Sequence, residues 1–293
     1  MTTGSHPKYA WWPYRALAAR EAELGRAAQA RGGWRRFLYE FVRFGVKQAW
    51  ACLFGGLMLA LLVGSYLWYP KDAALARYDF LVLAALAIQA SLLLFRMETW
   101  DEAKVILLYH ITGTAMEVFK THVGSWQYPD AGFLKIGEVP LFSGFMYSCI
   151  GSYIARCWRL FDFSFTRHPP SWVTVVFAVA IYANFFTHHY FPDCRWIILA
   201  LLVPAFGGTW IHFRIHHHYR RMPLLLGFFL VALFIWFAEN IGTAAHAWVY
   251  PNQQDGWRMV SFGKLVAWYL LMIVSYVMVS FVNKPQNYPM RLS

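Results

Sequence analysis

The stretch Glu117-x-x-x-Thr121-x-x-x-x-Trp126-x-Tyr128-Pro129 recurs as Glu239-x-x-x-Thr243-x-x-x-x-Trp248-x-Tyr250-Pro251. Each copy begins inside an apolar run, where a carboxylate is costly and marks a functional site. Desolvation favours the protonated form of a carboxyl, which suits it to proton transfer near neutral pH, and aromatic faces beside it would stabilise a cation formed by that transfer. With 3.6 residues per turn, Glu117 and Thr121 share a helix face, as do Glu239 and Thr243. His122, His246, Asn184 and Asn240 fall at the same level of the chain's apolar runs. The catalytic candidates are therefore Glu117, Glu239, His122 and His246. The substrate-binding candidates are Trp126, Tyr128, Trp248, Tyr250, Thr121, Thr243, Asn240 and Asn184. The plainer alternative is that each glutamate bonds its threonine or an asparagine and fixes helix packing.

These residues need helices to position them. The chain has 293 residues, 59% hydrophobic and only 14% charged, with a mean hydropathy of +0.38. A soluble domain carries roughly a quarter charged residues, so the composition predicts an all-α, polytopic membrane bundle. Runs of about 18 or more mostly apolar residues are the length a helix needs to cross ~30 Å of hydrocarbon. Eight such runs are expected as spans: Trp50–Tyr69, Phe80–Phe95, Val105–Val123, Val139–Ala155, Trp172–Tyr190, Trp196–Phe213, Pro223–Trp248 and Lys264–Val282.

Residues 1–47 read as an interfacial N-terminal segment and residues 48–293 as one transmembrane domain. The two motif copies begin in the third and seventh runs. A shift of four spans preserves orientation, which predicts an internal parallel repeat with halves at about 48–158 and 171–283. The N-terminal segment holds nine Lys and Arg against three Glu, and the even-numbered connections are again rich in Lys and Arg. Positive charge marks the cytoplasmic side, so both termini are expected there, in a bacterial inner membrane. Topology thus accounts for the +11 net charge, and nucleic acid is not an expected partner. The expected partners are the bilayer and an apolar small molecule. Tyr14–Arg31 reads as a surface helix broken at Gly32-Gly33. Trp34, Phe37, Leu38, Phe41 and Val42 then fall at helical spacing opposite Arg35, Arg36, Arg43 and Lys47, an amphipathic helix for the inner interface.

The run Gly124-Ser125-Trp126-Gln127-Tyr128-Pro129, then Val139-Pro140-Leu141-Phe142-Ser143-Gly144-Phe145, Arg221-Met222-Pro223-Leu224-Leu225 and Glu239-Asn240-Ile241-Gly242-Thr243 resembles a bacterial integral membrane family, domain of unknown function 817. The resemblance covers roughly Phe37 to the C-terminus and implies no activity. The Gly-x-Trp-x-Tyr segment with Gly137-x-Val139-Pro140-Leu141 is more distantly similar to membrane carotenoid hydratases and small membrane lycopene cyclases. In those families carboxylates of membrane helices are thought to protonate a polyene. That likeness implies acids at Glu117 and Glu239, and cation-stabilising walls at Trp126, Tyr128, Trp248 and Tyr250. The cyclases' Pro-x-Glu-Glu is absent, because Pro140 is followed by Leu141, Phe142 and Ser143, so hydration or isomerisation is better supported than cyclisation.

Two other classes stay open. His212-x-x-x-His216-His217-His218 resembles one box of the membrane di-iron desaturases and hydroxylases, which need several such boxes; this gives an iron site as the alternative to no metal and no cofactor. Paired intramembrane carboxylates also suit a proton-coupled small-solute carrier.

Overall fold

The computed structural model describes residue 20, residues 23–27, residue 30, residues 32–216 and residues 219–288. The expected helix over Tyr14–Arg31 lies largely outside them. The described chain is predominantly helical: α1 (Gly33–Ala51), α2 (Leu53–Trp68), α3 (Arg77–Leu94), α4 (Trp100–His122), α5 (Phe142–Phe161), α6 (Ser171–Thr187), α7 (Arg195–Phe206), α8 (Leu224–Ala244) and α9 (Phe262–Val282). Five short strands join them. β1 (Lys135–Ile136) pairs with β2 (Val139–Pro140), and β3 (Ser164–Thr166), β4 (Trp210–Arg214) and β5 (Tyr219–Pro223) form an antiparallel sheet in that order.

All eight apolar runs contain a helix, but the expectation of eight spans is corrected. Among the described residues three helices, α3, α8 and α9, are long and apolar enough to cross a membrane. A fourth span results if α1 and α2, bent by 64° at their junction, count as one. The sixth run fails most clearly. Pro204 and Gly207-Gly208 end α7 after 12 residues, and Trp210–Arg214 is a strand. At 1.5 Å per residue α7 is ~18 Å long, well short of the hydrocarbon thickness. A duplicated four-span unit is accordingly not supported.

Local chemistry explains the helix ends and seams. Thr99 and Glu102 form a capping box at the start of α4, each side chain satisfying the other residue's backbone N–H. Glu102 also receives Arg159 Nε at 2.9 Å, while the fully buried Arg156 lies between Glu98 (3.4 Å) and Glu102 (3.9 Å). This paired network locks the first turn of α4 to the last turns of α5, the most extensive helix pair in the fold. Near the other end of that pair a Cβ on Gly113 would lie 2.6 Å from Tyr147 Cβ. Only glycine lets the two helices approach there.

The main core gathers α4, α5, α6, α7, α8, α9 and the inner face of β3 and β4 around residues such as Phe206, Ile273 and Val279. The three-stranded sheet closes one end. Glu40 of α1 pairs with Arg36 (3.1 Å) and with Arg220 of β5, and Lys47 donates to the carbonyls of Leu160 (2.7 Å) and Arg214 (2.9 Å). The tail beyond α9 runs alongside β3, where Phe165 N–H donates to Gln286 O and Tyr288 N–H to Phe165 O, each at 2.8 Å. On α1, Trp34, Phe37, Leu38, Phe41 and Val42 are all exposed.

Candidate functional site

The two motif loops meet at the end of the bundle opposite the sheet. Gln127 N–H donates to Val249 O (3.0 Å) and Val249 N–H to Gln127 O (2.9 Å), so the residue between Trp and Tyr in one copy pairs with its counterpart in the other. Three consecutive residues at the start of α3 pin both loops. Arg77 bonds Asp130 of the first loop (3.1 Å) and Ala245 O of the second (2.9 Å). Tyr78 hydroxyl accepts from Asp130 N–H (3.3 Å) and donates to Ala247 O (3.1 Å), and Asp79 accepts from the backbone of Phe133 and Leu134.

Both carboxyls are buried, Glu117 at 4% and Glu239 at 5% exposure. Glu117 Oε2 accepts from Trp126 Nε1 (2.6 Å) and Tyr128 hydroxyl (2.6 Å), and Oε1 accepts from Tyr147 hydroxyl (2.7 Å). Glu239 Oε1 accepts from Tyr250 hydroxyl, and Oε2 from Trp268 Nε1 at 2.7 Å. Every carboxyl oxygen therefore already has a donor. Burial, and next the charge of Glu117, push the Tyr128 hydroxyl well above the ordinary phenol value; burial and then Glu239 do the same to Tyr250. Both loop phenols thus stay protonated as donors.

Lys264, in the first turn of α9, completes the site. Its ammonium sits 4.6 Å from the ring centre of Trp126 and 4.4 Å from that of Tyr250, within cation–π range. The two rings are themselves edge-on, 5.9 Å apart. One cation thus bridges an aromatic residue from each motif copy.

These groups form one wall of a cavity of about 1250 Å³, lined mainly by apolar side chains, including Phe44, Met146, Ile150 and Phe228. This exceeds the ~300–1,000 Å³ of ordinary ligand pockets. Phe41, Phe234 and Phe237 line it and are also exposed, so it opens sideways between α1 and α8. Asn184 lines it too, although its amide is bound to Asp193 and to Cys194 N–H.

The remaining candidates are placed differently from the sequence expectation. His122 and His246 are exposed, outside the cavity wall, and His246 stacks on Tyr66 at 5.5 Å. Thr121 hydroxyl donates to Glu117 backbone O (2.8 Å), not to its carboxyl, and Thr243 hydroxyl bonds Asn240 O (3.1 Å) and accepts from Trp257 (3.1 Å). Asn240 ties Trp236 O to Val260 N–H and is structural. Trp248 lines the cavity and packs on Gly242, where a Cβ would lie 2.5 Å from its ring, but its place on the second carboxyl is taken by Trp268. Tyr147, Trp268 and Lys264 are absent from the sequence-level candidates. A faint signal existed for the first two, since they lie 30 and 29 residues beyond their glutamates.

Two histidines of the box, His212 and His216, lie among the described residues. His212 bonds Thr166 hydroxyl at 2.7 Å and stacks on Tyr288 at 3.9 Å, His216 meets Arg43 at 2.7 Å, and His217 and His218 lie outside the described residues. Among the described residues no three His, Cys, Asp or Glu side chains converge on a metal-sized point.

Comparison with known proteins reaches the whole site. A protein of Bacillus subtilis (strain 168) called "Uncharacterized protein YoaT" is 43% identical over 245 residues, covering 84% of this chain and 92% of that protein. No solved structure matches. The expected likeness to carotenoid hydratases and lycopene cyclases is not shown by these matches. The family described as "Protein of unknown function (DUF817)" matches residues 40–276, a span containing both carboxyls, their donors and Lys264; the chain belongs to that family.

Proposed function

We propose that this is a multi-pass protein of a bacterial inner membrane that takes up a membrane-dissolved apolar molecule, of the isoprenoid or carotenoid kind, and does acid–base chemistry on it with Glu117 and Glu239. The observation that carries the reading is the pair of buried carboxyls, each held by tyrosine and tryptophan donors, on the wall of a large apolar cavity with a lateral opening. A carboxyl surrounded by donors is arranged to accept. Its chemistry is removal of a proton from the ligand, or stabilisation of positive charge on it beside the aromatic faces. That favours isomerisation over hydration, and Tyr128, Tyr147 and Tyr250 would reorient as the charge changes.

The orientation, with both termini cytoplasmic, is supported by the charge pattern. Arg43, Lys47, Arg214 and Arg220 gather around the three-stranded sheet, at the end of the bundle away from the motif loops.

The test is mass spectrometry of small molecules and metals retained by protein purified in mild detergent from its native membranes, beside the Glu117→Gln/Glu239→Gln double variant. A polyene or isoprenoid retained by the parent and lost from the variant supports the reading. Stoichiometric iron in both proteins would replace it with the histidine-box reading, and protein empty of both would favour a proton-coupled carrier.

A further inference from the structure

Lys264 is an unspent cation on the cavity wall. Lys120, which lines the same wall, meets His189 Nε2 at 2.8 Å, and Arg195 holds Asp193. Lys264 donates no hydrogen bond among the described residues. Its neighbours are two ring faces and the through-space charges of Glu117, Glu239 and, less favourably, Arg195. An ammonium carries three donors and no acceptor, and ring faces satisfy its charge without filling those donors. A ligand that reaches this wall meets N–H groups in need of an oxygen.

The charge balance selects which oxygen. The carboxyls of Glu239 and Glu117 act on Lys264 more strongly than Arg195 does and stand against the ammoniums of Lys264 and Lys120, while Arg195 and Asp193 cancel each other. No surplus of positive charge awaits an anionic head, and a carboxylate or phosphate would be set beside two buried carboxyls that repel it. A neutral acceptor meets no such opposition. The rest of the cavity is apolar and open to the flank between α1 and α8, so the body of the ligand is an apolar chain arriving sideways.

We propose that Lys264 receives the carbonyl oxygen of a neutral, carbonyl-ended apolar chain, whose tail lies along the cavity toward Phe44 and Phe41. This names the ligand class for the acid–base site and rests on that reading. It also fits the chemistry, because an ammonium on a carbonyl oxygen stabilises the negative charge that reaches that oxygen when a nearby carboxylate takes a proton from the carbon next to the carbonyl carbon, leaving an enolate.

The experiment uses the full chain in detergent and three probes of equal length, each brominated in mid-chain so that contact quenches tryptophan fluorescence: a methyl ketone, the corresponding carboxylic acid and the hydrocarbon. They are titrated against the parent and Lys264→Met. The expected result is that the ketone binds about tenfold more tightly than the hydrocarbon, the worth of a hydrogen bond from a charged donor. The acid binds no better than the ketone, and Lys264→Met abolishes the ketone's advantage. An acid that binds tighter than the ketone, or a ketone advantage that survives in Lys264→Met, overturns the proposal. Equal binding of all three to the parent removes the role of Lys264 and leaves the apolar cavity standing. Binding of none removes both. Should Lys264→Met fail to fold, the order of the three probes on the parent still decides.

Discussion

Glu117 is a carboxyl with three donors, and its environment sets what each donor is worth. Tyr147→Phe removes one and keeps the ring that packs against Gly113, so the loss is close to that of the hydrogen bond itself. Unfolding in detergent should show a cost of ~1.5–3 kcal/mol, the range for bonds to a charged group. Combined with Tyr128→Phe the effects should depart from additivity, because both hydroxyls serve one carboxylate. His168 supplies part of a pH dependence. Its ring lies 2.7 Å from Tyr276 hydroxyl and 2.6 Å from Pro169 O, and burial holds its pKa below the ordinary 6.5. The folded protein therefore favours the neutral ring. Its contribution is complete above the unfolded pKa and is lost as pH falls toward the depressed folded value. Thermal stability should drop as pH falls through the ordinary imidazole value of 6.5 and below, and His168→Gln should lessen that drop.

Which residues matter was only partly legible in the sequence, and the reasons are physical. Glu117 and Glu239 stand out because a carboxylate in an apolar run has few innocent explanations. Lys264 does not, because a lysine at the head of an apolar helix is also what an interface requires. Tyr147 and Trp268 lie in the following helices and reach the carboxyls only once α5 and α9 are packed. His122 and His246 misled because proximity in sequence to a glutamate is not proximity in space. His122 is the last residue of α4 and His246 follows the end of α8, and both side chains are exposed.

At the level of elements, hydropathy found where helices are and overestimated how far they run. The sixth run is mostly apolar, yet Pro204 and two glycines stop α7, and Trp210–Arg214 pairs with β3 and β5 instead. Hydropathy registers burial and is blind to whether a buried segment is helix or strand. The α4–α5 seam makes a firm prediction about its closed end. Arg156 is fully buried between Glu98 and Glu102, and Arg156→Met leaves Glu98 buried without its cation. The expected cost is ~3–5 kcal/mol in detergent unfolding, and Arg156→Met/Glu98→Gln should recover a substantial part, because the stranded charge is the source of the loss. A double variant no more stable than the single one would mean that packing of the arginine stem, not charge, holds the seam.

Taken as a whole, the molecule separates its tasks by end. The sheet, the docked tail and the basic residues close one end; Arg77, Tyr78 and Asp79 clamp the two motif loops at the other. The site lies where the two copies of one short sequence meet, so neither copy contains it alone. Each supplies one carboxyl and one of the two rings that hold Lys264.

The 64° bend between α1 and α2 gives Phe41 a double membership: it belongs to the apolar stripe on the outside of α1 and to the lining of the cavity within. Under the proposed uptake from the membrane, a molecule travelling along that side chain would pass from lipid to site without meeting bulk water, and the concentration that fills the site would be its mole fraction in the lipid. A dissociation constant expressed per litre of buffer would rise in proportion to the detergent or lipid added, while the same constant expressed per lipid would stay fixed. Occupancy in the cell would follow the composition of the membrane, however small the amount of ligand free in the cytoplasm.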